Sequence, residues 1–320
     1  MTRVRPVTFP TVAIVSMVLF ASVGLSAAAQ SRSSNVYGTV TDPSDAVLPG
    51  VSVVLTDEAT GIARDTVTDA RGHYAFPLVP VGRFTITASL SGFAPAEARN
   101  VVVQIQEDRE INIKLSISVV AENVTVTAGA VQVETTTASL GQVINERQVA
   151  ELPLNGRNFV QLGTLVPGAV KGEGSFFNNR GNTEVSIRGT VSLSIQGMRE
   201  NSNDWLLDGI DNNELTAGAV SILPSVESIQ EFKVLTNNYS AEYGSRAGGT
   251  VIVSTKSGSN KLAGSLFEYL RNDALDARNF FDGPKKGKYN QNQFGGSLGG
   301  PIKRGKSFFF GDYQGTLIRQ

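Results

Sequence analysis

Asn292-Gln293-Phe294-Gly295-Gly296-Ser297-Leu298-Gly299-Gly300-Pro301-Ile302 alternates without a break. In an extended strand successive side chains point to opposite faces. Phe294, Gly296, Leu298, Gly300 and Ile302 therefore share one face, and Gln293, Gly295, Ser297 and Gly299 the other. Lys303-Arg304-Gly305-Lys306 makes a tight polar turn, and Ser307-Phe308-Phe309-Phe310-Gly311-Asp312-Tyr313 returns as an aromatic strand. Upstream, within Lys261 to Arg271, Ala263, Phe267 and Tyr269 fall on one face and Gly264 and Glu268 on the other. Strands of roughly 9–11 residues, apolar outside and polar inside, are what a transmembrane barrel requires. Phe308 to Phe310 and Tyr313 read as lipid-facing or interfacial. Arg271 to Asn290, rich in Asn, Asp, Gly and Lys, reads as an outer loop.

The composition agrees with a β-rich exported protein and removes other classes. The 320 residues hold 28 Lys+Arg against 29 Asp+Glu, one His and no Cys. A net charge of −1 gives no basic surface for phosphate, so nucleic acid is excluded as a partner. Without Cys there are no disulfides, thiolate nucleophiles or iron–sulfur clusters, and His73 alone cannot build a two-imidazole metal site. Neither a cofactor nor a metal is expected, and the chain does not read as an enzyme. Gly295-Gly296-Ser297-Leu298-Gly299 fits a nucleophile-elbow pattern, but it lies in a Gly-rich strand rather than a strand–turn–helix, with no histidine after it. Asp208, Asp211 and Glu214 could offer oxygen ligands to calcium, yet their spacing departs from a binding loop and suits a solvated turn.

Arg3 and Arg5, the apolar stretch Val7 to Leu25, and Ala27-Ala28-Ala29 form an export signal over residues 1–29, with cleavage before Gln30. Residues 30–118 then alternate short strands with turns. Val36, Gly38 and Val40 precede the turn Asp42-Pro43-Ser44-Asp45; Val51, Val53 and Leu55 follow Pro49-Gly50; Tyr74 and Phe76 share a face, as do Phe84, Ile86 and Ala88. Val101, Val103 and Ile105, then Ile111, Ile113 and Leu115, complete a small β-sandwich. Gly38 to Asp42, Leu48 to Val53, Thr68 to Phe76, Val79 to Phe84 and Ser91-Gly92-Phe93 resemble the carboxypeptidase regulatory-like (prealbumin-like) domain. The resemblance implies an accessory module without catalytic residues. His73, offset by one from Tyr74 and Phe76, points outward.

Residues 119–256 mix short helices, strands and long polar loops, as a small α+β domain does. Asn145 caps a helix over Glu146 to Leu152, stopped by Pro153. Leu152-Pro153-Leu154-Asn155-Gly156-Arg157-Asn158-Phe159, Ile195-Gln196-Gly197-Met198-Arg199, Leu206 to Asp211, Ser225 to Phe232, Tyr239 to Gly244 and Ala247 to Val251 resemble the plug of TonB-dependent outer-membrane transporters of the Oar-like branch. Two runs, Ile187-Arg188-Gly189 and Ile195-Gln196-Gly197, compete for the Ile-Arg-Gly strand of that plug. Residues 257–320 resemble the opening of an Oar-type barrel. The fold class is mainly β: a sandwich, a plug and the first strands of an incomplete transmembrane barrel.

Glu122-Asn123-Val124-Thr125-Val126-Thr127-Ala128 is an extended, alternating run that can add to a partner's sheet through main-chain hydrogen bonds. It reads equally as a final strand or linker of the sandwich. In the resembled family such a segment is the TonB box. The resemblance implies TonB and its inner-membrane energising complex as partners, with outer-membrane lipid around the barrel and the sandwich and plug facing the periplasm or the lumen. It also implies an unidentified small-molecule, glycan or peptide substrate. About 65 residues after the plug suffice for roughly three or four membrane strands, whereas the smallest closed barrels use about eight. An open sheet leaves edge groups unpaired in lipid, so the sequence reads as the N-terminal part of a longer protein. The competing reading is a secreted or surface β-rich adhesion or glycan-binding protein.

Overall fold

The computed structural model describes residues 34–117, 124–127, 138–172, 192–214, 220–275, 277–278 and 287–319. The export signal, Ile187-Arg188-Gly189, and Glu122, Asn123 and Ala128 lie outside them. Among the described residues no helix is long and apolar enough to cross a membrane, which leaves open a crossing by strands.

The sandwich begins with β1 (Ser34–Thr41), β2 (Ser52–Asp57), β3 (Ala63–Val67), β4 (His73–Val79), β5 (Gly82–Ser89) and β6 (Ala96–Val103). Two short pieces follow, β7 (Arg109–Glu110) and β8 (Ile113–Lys114), then β9 (Val124–Thr127). One sheet pairs β4 with β1, and β1 with β7 and β8; the other has the order β3-β2-β5-β6-β9. Alternation places Val36, Val40, Val53, Leu55, Tyr74, Phe76, Phe84, Ile86 and Ala88 between the sheets, all buried. Ile111, Ile113 and Leu115 are buried as their spacing predicts, but Ile113 alone of them lies in a strand, because this stretch meets β1 only in two short parallel contacts. The Tyr74 hydroxyl donates to the Ile111 carbonyl at 2.6 Å, which satisfies a polar atom inside an apolar core. Burial pushes that phenol well above its ordinary pKa.

The turns are built by carboxylates. Asp69 Oδ1 accepts from the amides of Arg71 and His73 at 2.8 and 2.9 Å, and Gly72 supplies the φ of +74° that closes the loop. These hydrogen bonds hold the Asp69 carboxyl below its usual pKa. His73 sits exposed beside Thr39, 3.0 Å from its hydroxyl.

The α+β domain contains β10 (Leu140–Asn145), α1 (Glu146–Glu151), β11 (Ala169–Lys171), β12 (Leu193–Ile195), β13 (Asp204–Leu207), β14 (Ile210–Asp211), β15 (Ile229–Asn237) and β16 (Thr250–Thr255). Its main sheet runs β10-β15-β16-β13-β14, and β11 pairs with β12 alone. Asn145 caps α1 in a reciprocal box with Gln148, as the sequence predicts. Ile195 ends β12, while Gln196 and Gly197 turn away from it with φ of +54° and +71°. Phe159, on a 3-10 helix over Phe159–Leu165, packs edge-on against Phe232 with ring centres 5.4 Å apart.

β17 (Ala263–Asn272), β18 (Asn290–Lys303) and β19 (Ser307–Arg319) form a three-stranded antiparallel sheet, the arrangement expected of opening barrel strands. Leu266, 93% exposed, Leu298, Tyr313 and Leu317 point outward, as a lipid-facing surface demands. The aromatic run divides, however. Phe308 and Phe310 turn inward beside Thr255 and Lys256, and Phe309 and Tyr313 stay outside. Period-two geometry cannot put three consecutive rings on one face. For the same reason Phe267 and Tyr269 face the α+β domain, and Glu268 shares the outer face with Leu266 and Leu270.

A Cβ at Gly38 would run into the Ile111 carbonyl. Gly38→Ala is therefore expected to destabilise the sandwich by about 1–3 kcal/mol, read as a lower melting temperature. An unchanged melting temperature would mean that β1 and residue 111 can separate freely.

Candidate functional site

The run singled out for coupling is Glu122 to Ala128, and the structure describes the backbone of Val124–Thr127 within it. This β9 lies parallel to β6, in register Ala96↔Val124, Glu97↔Thr125, Ala98↔Val126 and Arg99↔Thr127. It is the terminal strand of its sheet and has a described neighbour on one side only. A terminal strand presents a row of main-chain donors and acceptors to whatever strand comes next.

Behind β9 the sandwich meets the α+β domain. The turn after β6 carries Ile105, which is fully buried with Leu235, Tyr243 and Ile252 of that domain. The Ile105 amide donates to Glu231 Oε1, and Lys233 Nζ donates to the Gln106 carbonyl at 2.8 Å. Gln230 Nε2 reaches the Val81 carbonyl at 3.4 Å. Burial, then the nearby Glu107 carboxylate, push Glu231 up to about 7, against the opposing pull of the Ile105 amide and Lys233.

The barrel wall is held at two places. Asn260 accepts from the Gly305 amide at 2.8 Å and donates its own amide to the Ala59 carbonyl at 3.0 Å; its side-chain amide also donates to the Thr60 carbonyl. One residue thus ties the β2–β3 turn of the sandwich to the β18–β19 turn of the wall. Farther along the strands, Arg157 is ion-paired with Glu227, both nearly buried, and lies 4.5 and 4.3 Å from the ring centres of Phe267 and Tyr269. Tyr269 is half exposed and Phe267 partly buried, so each stacking contact is worth about 0.5–1 kcal/mol. Gly156 and Arg157, with φ of +67° and +56°, turn the chain so that the guanidinium reaches the wall. Ser225 Oγ adds a hydrogen bond to Asp312 Oδ2 at 2.7 Å.

Beside this clamp lies a cavity of about 940 Å³ between the α+β domain and the inner face of the wall. Its lining combines the amides and hydroxyl of Asn155, Gln161, Gln291, Gln293 and Thr316 with the cations Arg157, Lys171 and Arg271, and includes no Asp or Glu.

The other candidates have structural employment. Asp208 accepts from the Thr255 amide at 2.8 Å and its hydroxyl at 2.7 Å, pinning the end of β16. Asp211 accepts from the backbone and side-chain amides of Asn213, which lower its pKa. Among the described residues no three acidic or imidazole side chains gather as metal ligands would. Ser297 Oγ lies 2.9 Å from Ser265 Oγ in mid-sheet. Sequence reasoning missed Glu231, Lys233, Arg157 and Asn260 as contact residues. The signal for the first two was available: Glu and Lys alternate with Phe232 and Val234 in a strand too apolar to be half-solvated.

Residues 35–116 match the carboxypeptidase regulatory-like domain, residues 132–251 the TonB-dependent receptor plug domain, and residues 254–320 an outer membrane beta barrel domain. Over 310 residues the chain is 26% identical to the TonB-dependent transporter Oar of Myxococcus xanthus, covering 91% of this chain and 27% of Oar. The chain thus spans about a quarter of that relative's length. Among solved structures, the siderophore receptor PirA from Acinetobacter baumannii is 24% identical, with 57% of this chain and 25% of PirA covered and a TM-score of 0.41. A chain of a type II cohesin–X-dockerin complex from Acetivibrio cellulolyticus is 23% identical, with 26% of this chain and 58% of its own length covered and a TM-score of 0.22.

Removing one partner of a nearly buried ion pair leaves an uncompensated charge and costs about 3–5 kcal/mol. Arg157→Met is expected to lower stability to urea by that order, and Arg157→Met combined with Glu227→Met to recover much of the loss. A single variant as stable as the parent would show that the clamp does not hold plug to wall.

Proposed function

Because the chain carries the sandwich, plug and first barrel strands of a TonB-dependent outer-membrane transporter similar to Oar, we propose that it acts in energy-coupled movement of a substrate across the outer membrane. Glu122 to Ala128 is the coupling segment in this reading. The observation that supports it most is the position of β9: it is extended, it forms the end of a sheet, and it lies just before the plug. A strand of the periplasmic TonB domain can pair with such a segment through main-chain groups, which fixes alignment without demanding particular side chains. Force applied there reaches the plug by two routes. One is the chain itself, into β10; the other is the sandwich, through Ile105 and Gln106 onto β15.

The plug stands between that force and the wall. Among the described residues its polar and stacking contacts with the barrel strands include Arg157 with Phe267 and Tyr269, and Ser225 with Asp312. Contacts of this kind can be broken without unfolding the apolar plug core around Phe159, Phe232 and Val251. The amide-lined cavity at the clamp suits a polar solute. This assigns transport to the whole protein and gives these residues the parts of coupling and gating.

Removing residues 122–128 from the full-length protein is expected to leave its outer-membrane insertion intact and to abolish binding of the purified periplasmic domain of TonB. Binding would be followed by calorimetry. Undiminished binding by the deletion variant would overturn the coupling role of this segment.

A further inference from the structure

The joint between sandwich and plug contains a carboxylate whose ionisation the reading above does not use. Glu231 is 6% exposed, on the face of β15 that the sandwich covers. Its nearest polar contact is the Ile105 amide, contributed by the other domain. The turn that delivers this amide is stiff. Ser34 Oγ donates to the Gln104 carbonyl at 2.6 Å and accepts from the Glu107 amide at 3.1 Å, and Gln106 takes a φ of +54°. Separating the domains would return Glu231 to water, and docking them removes it from water.

The charged groups facing Glu231 come from both sides. Glu107, itself 8% exposed, approaches from the sandwich and is paired with Arg109 at 3.2 Å. Lys233 lies on the same face of β15, and its ammonium is directed to the Gln106 carbonyl. The flanking strands set uncharged residues opposite: Asn145 on β10 and Ser254 on β16. A second carboxylate close by and a low-dielectric joint both favour the protonated acid.

We propose that this joint is a proton-operated latch, in which protonation of Glu231 fastens the sandwich to the plug and its ionisation loosens it. The latch concerns two domains described on both sides of the contact, and it holds whether or not residues 122–128 bind TonB.

The sign follows from linkage. Docked, Glu231 titrates at about 7 rather than near its ordinary 4.5. The docked state therefore binds the proton more tightly than the undocked state. Docking is strongest below the ordinary value and weakens as pH rises toward and through 7. For a group of this kind docking should be about tenfold tighter at pH 6 than at pH 8. A neutral carboxyl still accepts from the Ile105 amide through its carbonyl oxygen, so the hydrogen bond survives protonation.

The Ile105 amide reports the latch directly, because its partner lies in the other domain. Hydrogen–deuterium exchange of the full-length protein, corrected for the intrinsic pH dependence of exchange, is expected to give about tenfold higher protection of Ile105 at pH 6 than at pH 8. Ile86, in the sandwich core, should show no such change. Glu231→Gln should flatten the Ile105 profile, and Glu107→Gln should move its midpoint to lower pH. Equal protection of Ile105 at the two pH values in the unaltered protein overturns the proposal, even if Glu231→Gln fails to fold. So does an unaltered profile in a folded Glu231→Gln variant.

Discussion

Both faces of one strand are buried, and the rest of the molecule is arranged around that fact. β15 sends Phe232 and Val234 into the plug core and Glu231, Lys233 and Leu235 toward the sandwich. Its neighbours β10 and β16 satisfy its main chain on both edges. A strand enclosed on every side cannot shift register without exposing one apolar set and burying the wrong polar one. It therefore fixes three things together: the plug's own packing, the seat of the sandwich, and the direction in which β16 leaves for the wall. The charged pair on its outer face replaces water with the backbone of another domain.

The domains differ in how they are held. Inside the sandwich and the plug, large buried side chains interlock. Between domains the contacts are small and polar, apart from the cluster around Ile105. Asn260 and Ser225–Asp312 contribute hydrogen bonds, and Arg157 a cation stacked on the rings of Phe267 and Tyr269. Such contacts give orientation at modest strength. That division lets the domains shift against one another as units without disturbing either apolar core.

Much of this was legible in the sequence, and what was not has a physical reason. Alternation identified the sandwich core at Val36, Val53, Phe76 and Ile86, and the outward face of the wall at Leu298. Capping chemistry gave α1 from Asn145. The same alternation was misjudged for Phe308 and Phe310, because apolar character was weighted over period, and period decides. The burial of Glu231 and Lys233 could be read from their alternation with Phe232 and Val234, but their partners, like that of Arg157, could not, since each lies in a segment some 70 to 127 residues distant. Local pattern carries no information about such pairs. The two parallel contacts of β1 escaped notice for the same reason: parallel partners are distant in sequence and leave no hairpin signature.

The Arg157 clamp also bears on how a barrel is assembled. Its rings lie on β17, the first strand after the plug, and Asp312 lies on β19. Ser225 and Asp312 are 87 residues apart in the chain, and Arg157 is farther still from its rings, so closing these contacts costs loop entropy that the plug core and the hairpins of the wall must offset. The plug is thus seated on this sheet by groups that meet only through tertiary folding, since no hairpin brings them together.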